Sequence, residues 1–190
     1  MMKLKTLILA CAAALALPTA AFAGPGDKPA PTAPASVSDL ERGEVLHRHH
    51  VNVMEIEMGK MAAKQGTAKV KKYGAMLVAD HTKADKTVKA LARKLGVELV
   101  DHPTADSADA AAHDKNMALM AQLKTMKGAD FDHAYLPAMV EGHTGEIDRV
   151  SGALPPVTDA KVKALLDKTL PSLRKHADRA QKLQDAPATK

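Results

Sequence analysis

The chain has 190 residues, of which 46% are hydrophobic, 26% charged and 2% aromatic, with a formal net charge of +5 and a single cysteine. It has no tryptophan, two tyrosines and two phenylalanines, so it lacks the aromatic platforms on which nucleic-acid bases stack. Its lysines alternate with acidic residues, as in KADKTVK, which is typical of a solvated helix surface. We therefore expect no nucleic-acid partner.

The N-terminal residues have the layout of a secretory signal peptide. MMKLK is basic, TLILACAAALALP is a short apolar run, and AFA precedes Gly24 as a small-residue cleavage site. We expect cleavage after Ala23 and a periplasmic or secreted protein, and we do not expect a lipoprotein anchor through Cys11. The mature chain would lose two lysines and the only cysteine, so it would carry +3 and no thiolate metal ligand. It contains no second apolar run of membrane-spanning length.

The remaining chain divides into a linker, one domain and a short tail. Residues 24–38 are rich in Pro, Ala and Ser and predict a disordered linker, and residues 185–190 predict a flexible tail. Between them, residues 39–184 repeat apolar positions at three- and four-residue spacing, interrupted by Gly or Pro. This pattern predicts helices over residues 38–64, 67–95, 107–127, 129–151 and 158–183.

The connections between these helices indicate the fold. The first two helices and the last two are joined by short turns, whereas residues 97–108 form a long crossover. We therefore predict an all-α protein: a ferritin-like antiparallel four-helix bundle whose long crossover carries an additional helix.

Three of the predicted helices carry a histidine in the middle of the apolar face. These residues are His81, His143 and His176, and the face of His143 also carries Asp132 and Glu146. Burying polar groups costs free energy unless partners or a metal satisfy them. Imidazoles and carboxylates together suit Fe, Mn, Zn, Ni or Cu, so the pattern predicts a transition-metal site.

The first helix begins with the dense stretch HRHHVNVMEIEMGKMA. Its three methionines on the inner face are typical of core filling: Met54, Met58 and Met61. His50 shares this face and Glu57 lies at its edge, so both are candidate ligands. We expect His49 to point away from the core and to be solvated.

Counting about 1.5 Å per residue from the turn between the first two helices sorts the candidates into two layers. The middle layer contains His50, His81, His143 and Glu146, and an end layer contains Asp132 and His176. The end pair fits a metal site and a metal-free hydrogen bond equally well. The candidate metal ligands are thus His50, Glu57, His81, His143, Glu146, Asp132 and His176.

Four stretches of this sequence resemble the ferritin-like domain-of-unknown-function 4142 family. They are HHVNVMEIEMGKMA, YGAMLVADHTKAD, GADFDHAYLPAMVEGH and TLPSLRKH. The family's recurrent positions correspond here to Glu55, Asp80, His81, Phe131, Asp132, Tyr135, His143, Pro171 and His176. The resemblance implies a ferritin-like four-helix fold and no particular activity.

The sequence leaves three classes of function open. The first is an exported protein that binds a transition metal ion through core His and carboxylate residues, for sequestration or sensing. The alternative is a non-metal structural or interaction module of the envelope or stress response, with an envelope protein as partner. A hydrolytic or oxidative enzyme is the third and least favoured class, because phosphate-loop and nucleophile-elbow motifs are absent. The Glu-x-x-His pair of di-iron bundles occurs once, at Glu44 and His47, which argues against ferroxidase activity.

Overall fold

The computed structural model describes residues 37–104, 107 and 109–186. These residues form five helices: α1 (Asp39–Gln65), α2 (Ala68–Leu95), α3 (Ala110–Leu123), α4 (Gly128–Ala153) and α5 (Ala160–Gln184). This part of the chain contains no strand, which confirms the predicted all-α class. None of these helices is both long enough and apolar enough to cross a membrane. The predicted signal peptide, most of the linker and residues 187–190 lie outside the described residues, and the domain boundaries stay a prediction.

Four of the five helices begin and end within two residues of their predicted limits. The third is shorter than predicted, by three residues at its start and four at its end. The Gln65 side chain, at the end of α1, donates hydrogen bonds of 2.7 Å to the carbonyls of Leu123 and Met126. The chain then turns into α4 through Gly128, whose positive φ of 59° suits a residue without a Cβ.

The starts of α1 and α5 are held together by one carboxylate. Glu41 is 2% exposed, and its Oε1 accepts hydrogen bonds from the backbone N–H groups of Thr158 (2.7 Å) and Asp159 (2.6 Å). Its Oε2 accepts from the backbone N–H and hydroxyl of Ser38, which completes a capping box on α1. The hydrogen bonds from Asp159 and Ser38 lower the pKa of Glu41 to about 2.

We expect Glu41→Gln to lower the free energy of unfolding by about 1 to 2 kcal/mol at neutral pH, because these donors would lose a charged acceptor. The folded-state pKa lies below the ordinary value of 4.5, so the stabilisation is present above pH 4.5 and is lost as the pH falls toward 2. The difference between wild type and variant in urea unfolding should therefore shrink below pH 4.5. The exposed Glu98→Gln should show neither effect, and a difference that does not change with pH would contradict the assignment.

The helices pair as two antiparallel hairpins. α1 packs along α2 and α4 along α5, and the hairpins meet through the α2–α5 and α1–α4 contacts, with α3 against α1 and α4. α4 begins beside the α1–α2 turn, because the Asp132 carboxylate accepts hydrogen bonds from the N–H and hydroxyl of Thr67. This pairing agrees with the predicted four-helix bundle; that arrangement and its ferritin-like topology stay predictions.

The apolar core consists of two clusters. One contains Val45 of α1, Val88 of α2, Val150 of α4 and Leu173 of α5, and the other contains residues nearer the α1–α2 turn, including Leu77. On α2, α4 and α5 one buried histidine lies between the residues that each helix gives to the two clusters. The two apolar halves are thus separated by a polar layer, which positions the site described next.

Candidate metal centre

His81, His143 and His176 converge in the middle of the bundle. Each offers one ring nitrogen, and these three nitrogens all lie within 4.8 Å of one another. The ring centroids are 5.1 Å apart for His81 and His176, 5.2 Å for His143 and His176, and 6.1 Å for His81 and His143. The three side chains are at most 5% exposed. Residues from α2, α4 and α5 thus form one buried imidazole cluster.

The second nitrogen of each ring is held by a separate hydrogen-bond partner. His81 Nδ1 lies 2.9 Å from Oδ1 of Asn52, and His143 Nδ1 lies 2.8 Å from the carbonyl oxygen of Met139. His176 Nε2 lies 3.0 Å from a carboxylate oxygen of Asp80. Such outer partners fix the orientation of histidines that bind metals. The three rings are therefore oriented by contacts on their outer sides.

These partners also determine where the ring protons lie. The Met139 carbonyl, the Asp80 carboxylate and the Asn52 amide oxygen only accept hydrogen bonds, so each of the three rings in its neutral form donates from its outer nitrogen. The inner nitrogens are then lone pairs. His81 Nε2, His143 Nε2 and His176 Nδ1 are buried and have no hydrogen-bond partner among the described residues. The cluster thus presents converging acceptors without a donor.

Burial keeps two of these imidazoles neutral. Desolvation, followed by repulsion from His176 and His143, lowers the pKa of His81 to about 3. Desolvation also lowers the pKa of His176, although the hydrogen bond to Asp80 opposes the shift. Burial raises the pKa of Asp80, but the hydrogen bonds from His176 and Lys175 outweigh it and the net shift is downward. Neutral imidazole is the form that coordinates a metal.

Helix α1 completes the polar layer with Asn52 and Glu55. Glu55 Oε2 and the hydroxyl of Tyr135 are buried and unpartnered within the described part of the chain. Burial raises the pKa of Glu55, against the opposing influence of His143. Burial also raises the pKa of Tyr135 well above its usual value, and the neighbouring Glu55 adds to this shift. Each of the four long helices therefore contributes a polar side chain to this layer.

The predicted end layer is wrong. His176 does not pair with Asp132; it lies with His81 and His143, and Asp80 is its hydrogen-bond partner. Asp132 instead binds Thr67 at the α1–α2 turn. The rings of His81 and His143, which the residue count places in one layer, do approach each other.

The residue count predicts the wrong layer for His176 because it ignores the direction in which helical side chains lean. A helical side chain leans toward the N-terminus of its own helix. α2 and α4 run away from the α1–α2 turn and α5 runs toward it, so His81 and His143 lean toward that turn and His176 leans away. The rings meet although a count of residues puts their backbone positions at different levels.

Glu146 belongs to an ion-pair network next to the polar layer. It accepts a hydrogen bond of 3.0 Å from His47 Nε2 and pairs with the buried Arg48 guanidinium. Burial raises its pKa, but the hydrogen bond from His47 and the charge of Arg48 outweigh this and hold the pKa at about 2. The network continues through Asp109, which accepts from His47 Nδ1 and pairs with Arg149.

The other predicted ligands lie outside the imidazole cluster. Glu57 is exposed and pairs with Lys60 at 2.7 Å. His50 is 9% exposed, packs beside His49 with ring centroids 6.3 Å apart, and has two unpartnered ring nitrogens in the described region. Burial lowers the pKa of His50. The structure thus brings together three of the seven predicted ligands.

The prediction that His49 is solvated is wrong, since it is 1% exposed. Its Nδ1 lies 2.6 Å from Asp85 and its Nε2 lies 3.2 Å from Asp101. Asp101 belongs to the connection between α2 and α3, which covers the side of α1 that periodicity assigns to solvent. His49 is buried partly by a segment that is distant in the sequence, so the hydrophobic pattern of α1 does not predict this burial.

The described chain is thus an all-α protein with a buried cluster of three histidines in its polar middle layer. The family model "Domain of unknown function (DUF4142)" matches residues 26–183, so the chain belongs to this family. No curated protein and no solved structure matches it.

Proposed function

We propose that the protein is an exported helical bundle that binds one transition metal ion through His81, His143 and His176, in order to sequester or sense it. The observation that carries the proposal is the convergence of one ring nitrogen from each of three histidines, together with the hydrogen bonding of each ring: one nitrogen has its own partner and the other has none among the described residues. Export is supported by the signal-peptide pattern of residues 1–23.

Without a metal, the three acceptor nitrogens of the cluster lack hydrogen-bond donors among the described residues. Each unpartnered buried polar group costs about 1 to 3 kcal/mol. A single water molecule has two protons and cannot donate to three lone pairs at once. A metal cation satisfies all three, which favours the metal-binding module over the structural or interaction module.

The ligand set narrows the choice of metal. Imidazole suits Zn, Cu, Fe and Ni, whereas Mn prefers sites richer in carboxylate. Three histidines leave a tetrahedral ion one open coordination position, as in zinc sites that bind a water or substrate. Ligand nitrogens in such a site lie about 3.3 Å apart, given metal–nitrogen distances of about 2.0 Å. Binding therefore requires the three ring nitrogens, which lie within 4.8 Å of one another, to approach by up to about 1.5 Å.

The test is metal binding by tag-free, metal-free protein. After exposure to Zn²⁺, Cu²⁺, Ni²⁺, Fe²⁺ or Mn²⁺ and dialysis, we expect one ion per chain for at least one metal. At a free metal concentration of about 100 times Kd, the stabilisation is about 2.7 kcal/mol, which should raise Tm by about 5 to 10 °C.

The variant His81→Gln should lose the metal-dependent rise in Tm, because one of the three ligand nitrogens is removed. The matched control is His133→Gln, an exposed histidine on α4, which should keep the rise. His49 is unsuitable as a control because it is buried against Asp85. Equal metal responses in His81→Gln and wild type, or no retained metal with any of the five ions, would refute the proposal.

A further inference from the structure

A cavity of about 380 Å³ adjoins the imidazole cluster between α2 and α5, with α1 contributing to its lining. Two of the three cluster histidines, His81 and His176, form part of its lining. Volumes of this size accommodate small-molecule ligands. A molecule in the cavity would therefore contact two of the three imidazoles that are proposed to hold the metal.

Four of the five charged side chains that line this cavity are cationic. Arg48, Lys83, Lys168 and Lys175 contribute positive charges, and Asp80 is the one acidic residue among the described lining residues. Lys175 pairs with Asp80 at 2.9 Å. Lys83 and Lys168 are exposed and form no ion pair within the described ranges. The cavity thus offers uncompensated positive charge.

Arg48 adds a buried cation on the α1 side of the cavity. Its side chain is 3% exposed, and its guanidinium pairs with Glu146 while Nε has no partner in the described part of the chain. A buried charge is costly unless it is paired and its donors are satisfied. A divalent metal among the nearby histidines would add further positive charge, which an anion in the cavity would offset.

We propose that this cavity binds a small oxyanion, a carboxylate or a phosphate, which places one oxygen on the open position of the metal at His81, His143 and His176. The part of this inference that involves the metal rests on the proposed function. Lysine and arginine side chains are the groups that proteins use to bind carboxylates and phosphates. The imidazole cluster alone supplies three ligands, so the anion completes a four-coordinate site.

The positive charge of the cavity affects how a metal ion reaches the histidine cluster. A cationic opening repels a free divalent ion and attracts an anionic complex. The chemistry of the cavity therefore suits a metal ion that arrives bound to a small carboxylate or phosphate ligand.

The experiment uses the mature chain loaded with Co²⁺, whose visible absorption responds to the fourth ligand. Succinate and inorganic phosphate are titrated separately, with chloride at matched ionic strength, and metal content is measured before and after. We expect one oxyanion to change the Co²⁺ spectrum and to raise Tm of the metal-free protein, while chloride does neither. The comparison between succinate and phosphate identifies the class of anion.

The variant that tests the cavity is Lys83→Gln/Lys168→Gln, which removes the two lysines without ion pairs. It should weaken anion binding by about tenfold or more and leave Co²⁺ content unchanged. The matched control is Lys71→Gln/Lys72→Gln, two exposed lysines of α2 outside the cavity, which should bind the anion like wild type.

Equal anion binding by the two double variants, or no response to either oxyanion, would overturn the proposal. A rise in Tm with an unchanged Co²⁺ spectrum would overturn the contact between anion and metal. If the protein retains no Co²⁺, the contact with metal fails together with the proposed function. The rise in Tm of the metal-free protein, and its loss in Lys83→Gln/Lys168→Gln, then decides whether the cavity binds the anion.

Discussion

Replacing Gly74 by alanine is expected to lower the free energy of unfolding by about 3 kcal/mol, the upper end of the usual cost of overpacking. A Cβ at this position of α2 would lie 2.5 Å from the carbonyl oxygen of Gly59 and 2.7 Å from the backbone nitrogen of Ala63. Both atoms belong to the backbone of α1, so rotation of a side chain cannot relieve the contact. The two helices would have to separate where they pack most closely. Urea unfolding measures the loss.

The control for this prediction is Gly43→Ala on α1. A Cβ there meets nothing within 4 Å, and the residue is exposed in the helix. Alanine is a better helix former than glycine, so this variant should gain up to about 1 kcal/mol. If Gly74→Ala were as stable as Gly43→Ala, the close approach of α1 and α2 at this point would be wrong.

The helical periodicity of the sequence was sufficient to predict the all-α class and most helix limits. The same periodicity placed His81, His143 and His176 on their apolar faces, and all three are buried. It worked for α2, α4 and α5 because one side of each helix faces the core and the other faces solvent. These three histidines were the part of the site that a single-helix pattern could reveal.

The first half of helix α1 is not divided into one buried face and one solvent-exposed face. Several side chains are buried there, because α4, the α4–α5 turn and the α2–α3 connection all contact this half of the helix. They are Glu41, Glu44, His47, His49 and His50. Periodicity assumes one buried face, so it assigns His49 to solvent and places His50 in the middle layer, whereas Asn52 is the α1 residue that contacts His81. The ion pairs of His47 with Asp109 and Glu146 join residues 62 and 99 positions apart, a relation that local patterns do not contain.

The helical periodicity also does not predict the hydrogen-bond partners that orient the histidines. Asp80 precedes His81 on α2, but it binds His176 of α5, so its role depends on how two helices are aligned. The Met139 carbonyl belongs to the backbone and carries no side-chain signal at all. The family resemblance selected Asp80, His81, His143 and His176 as a set without explaining what connects them.

Replacing His143 by leucine is expected to abolish metal binding and at the same time to stabilise the metal-free protein. Leucine is apolar and close in volume to histidine, and the residue is 1% exposed. The substitution removes a buried nitrogen that lacks a partner within the described region, which should raise the free energy of unfolding by about 1 to 2 kcal/mol. The Met139 carbonyl, to which His143 Nδ1 donates, remains in the backbone hydrogen bonding of α4.

A metal site and a structural histidine predict opposite signs for this change in stability. If His143 is a metal ligand, its unpartnered nitrogen destabilises the metal-free protein, so replacing the side chain raises the free energy of unfolding. The same replacement lowers metal affinity by at least about 100-fold. If the histidine is instead retained for its hydrogen bond to Met139, replacing it by leucine lowers the free energy of unfolding.

The measurement is urea unfolding of the metal-free protein together with metal titration, and the control is His133→Leu at an exposed position of the same helix. That control should change stability by no more than about 0.5 kcal/mol and keep its metal. Destabilisation of metal-free His143→Leu by more than this margin would show that the cluster is part of the structural core.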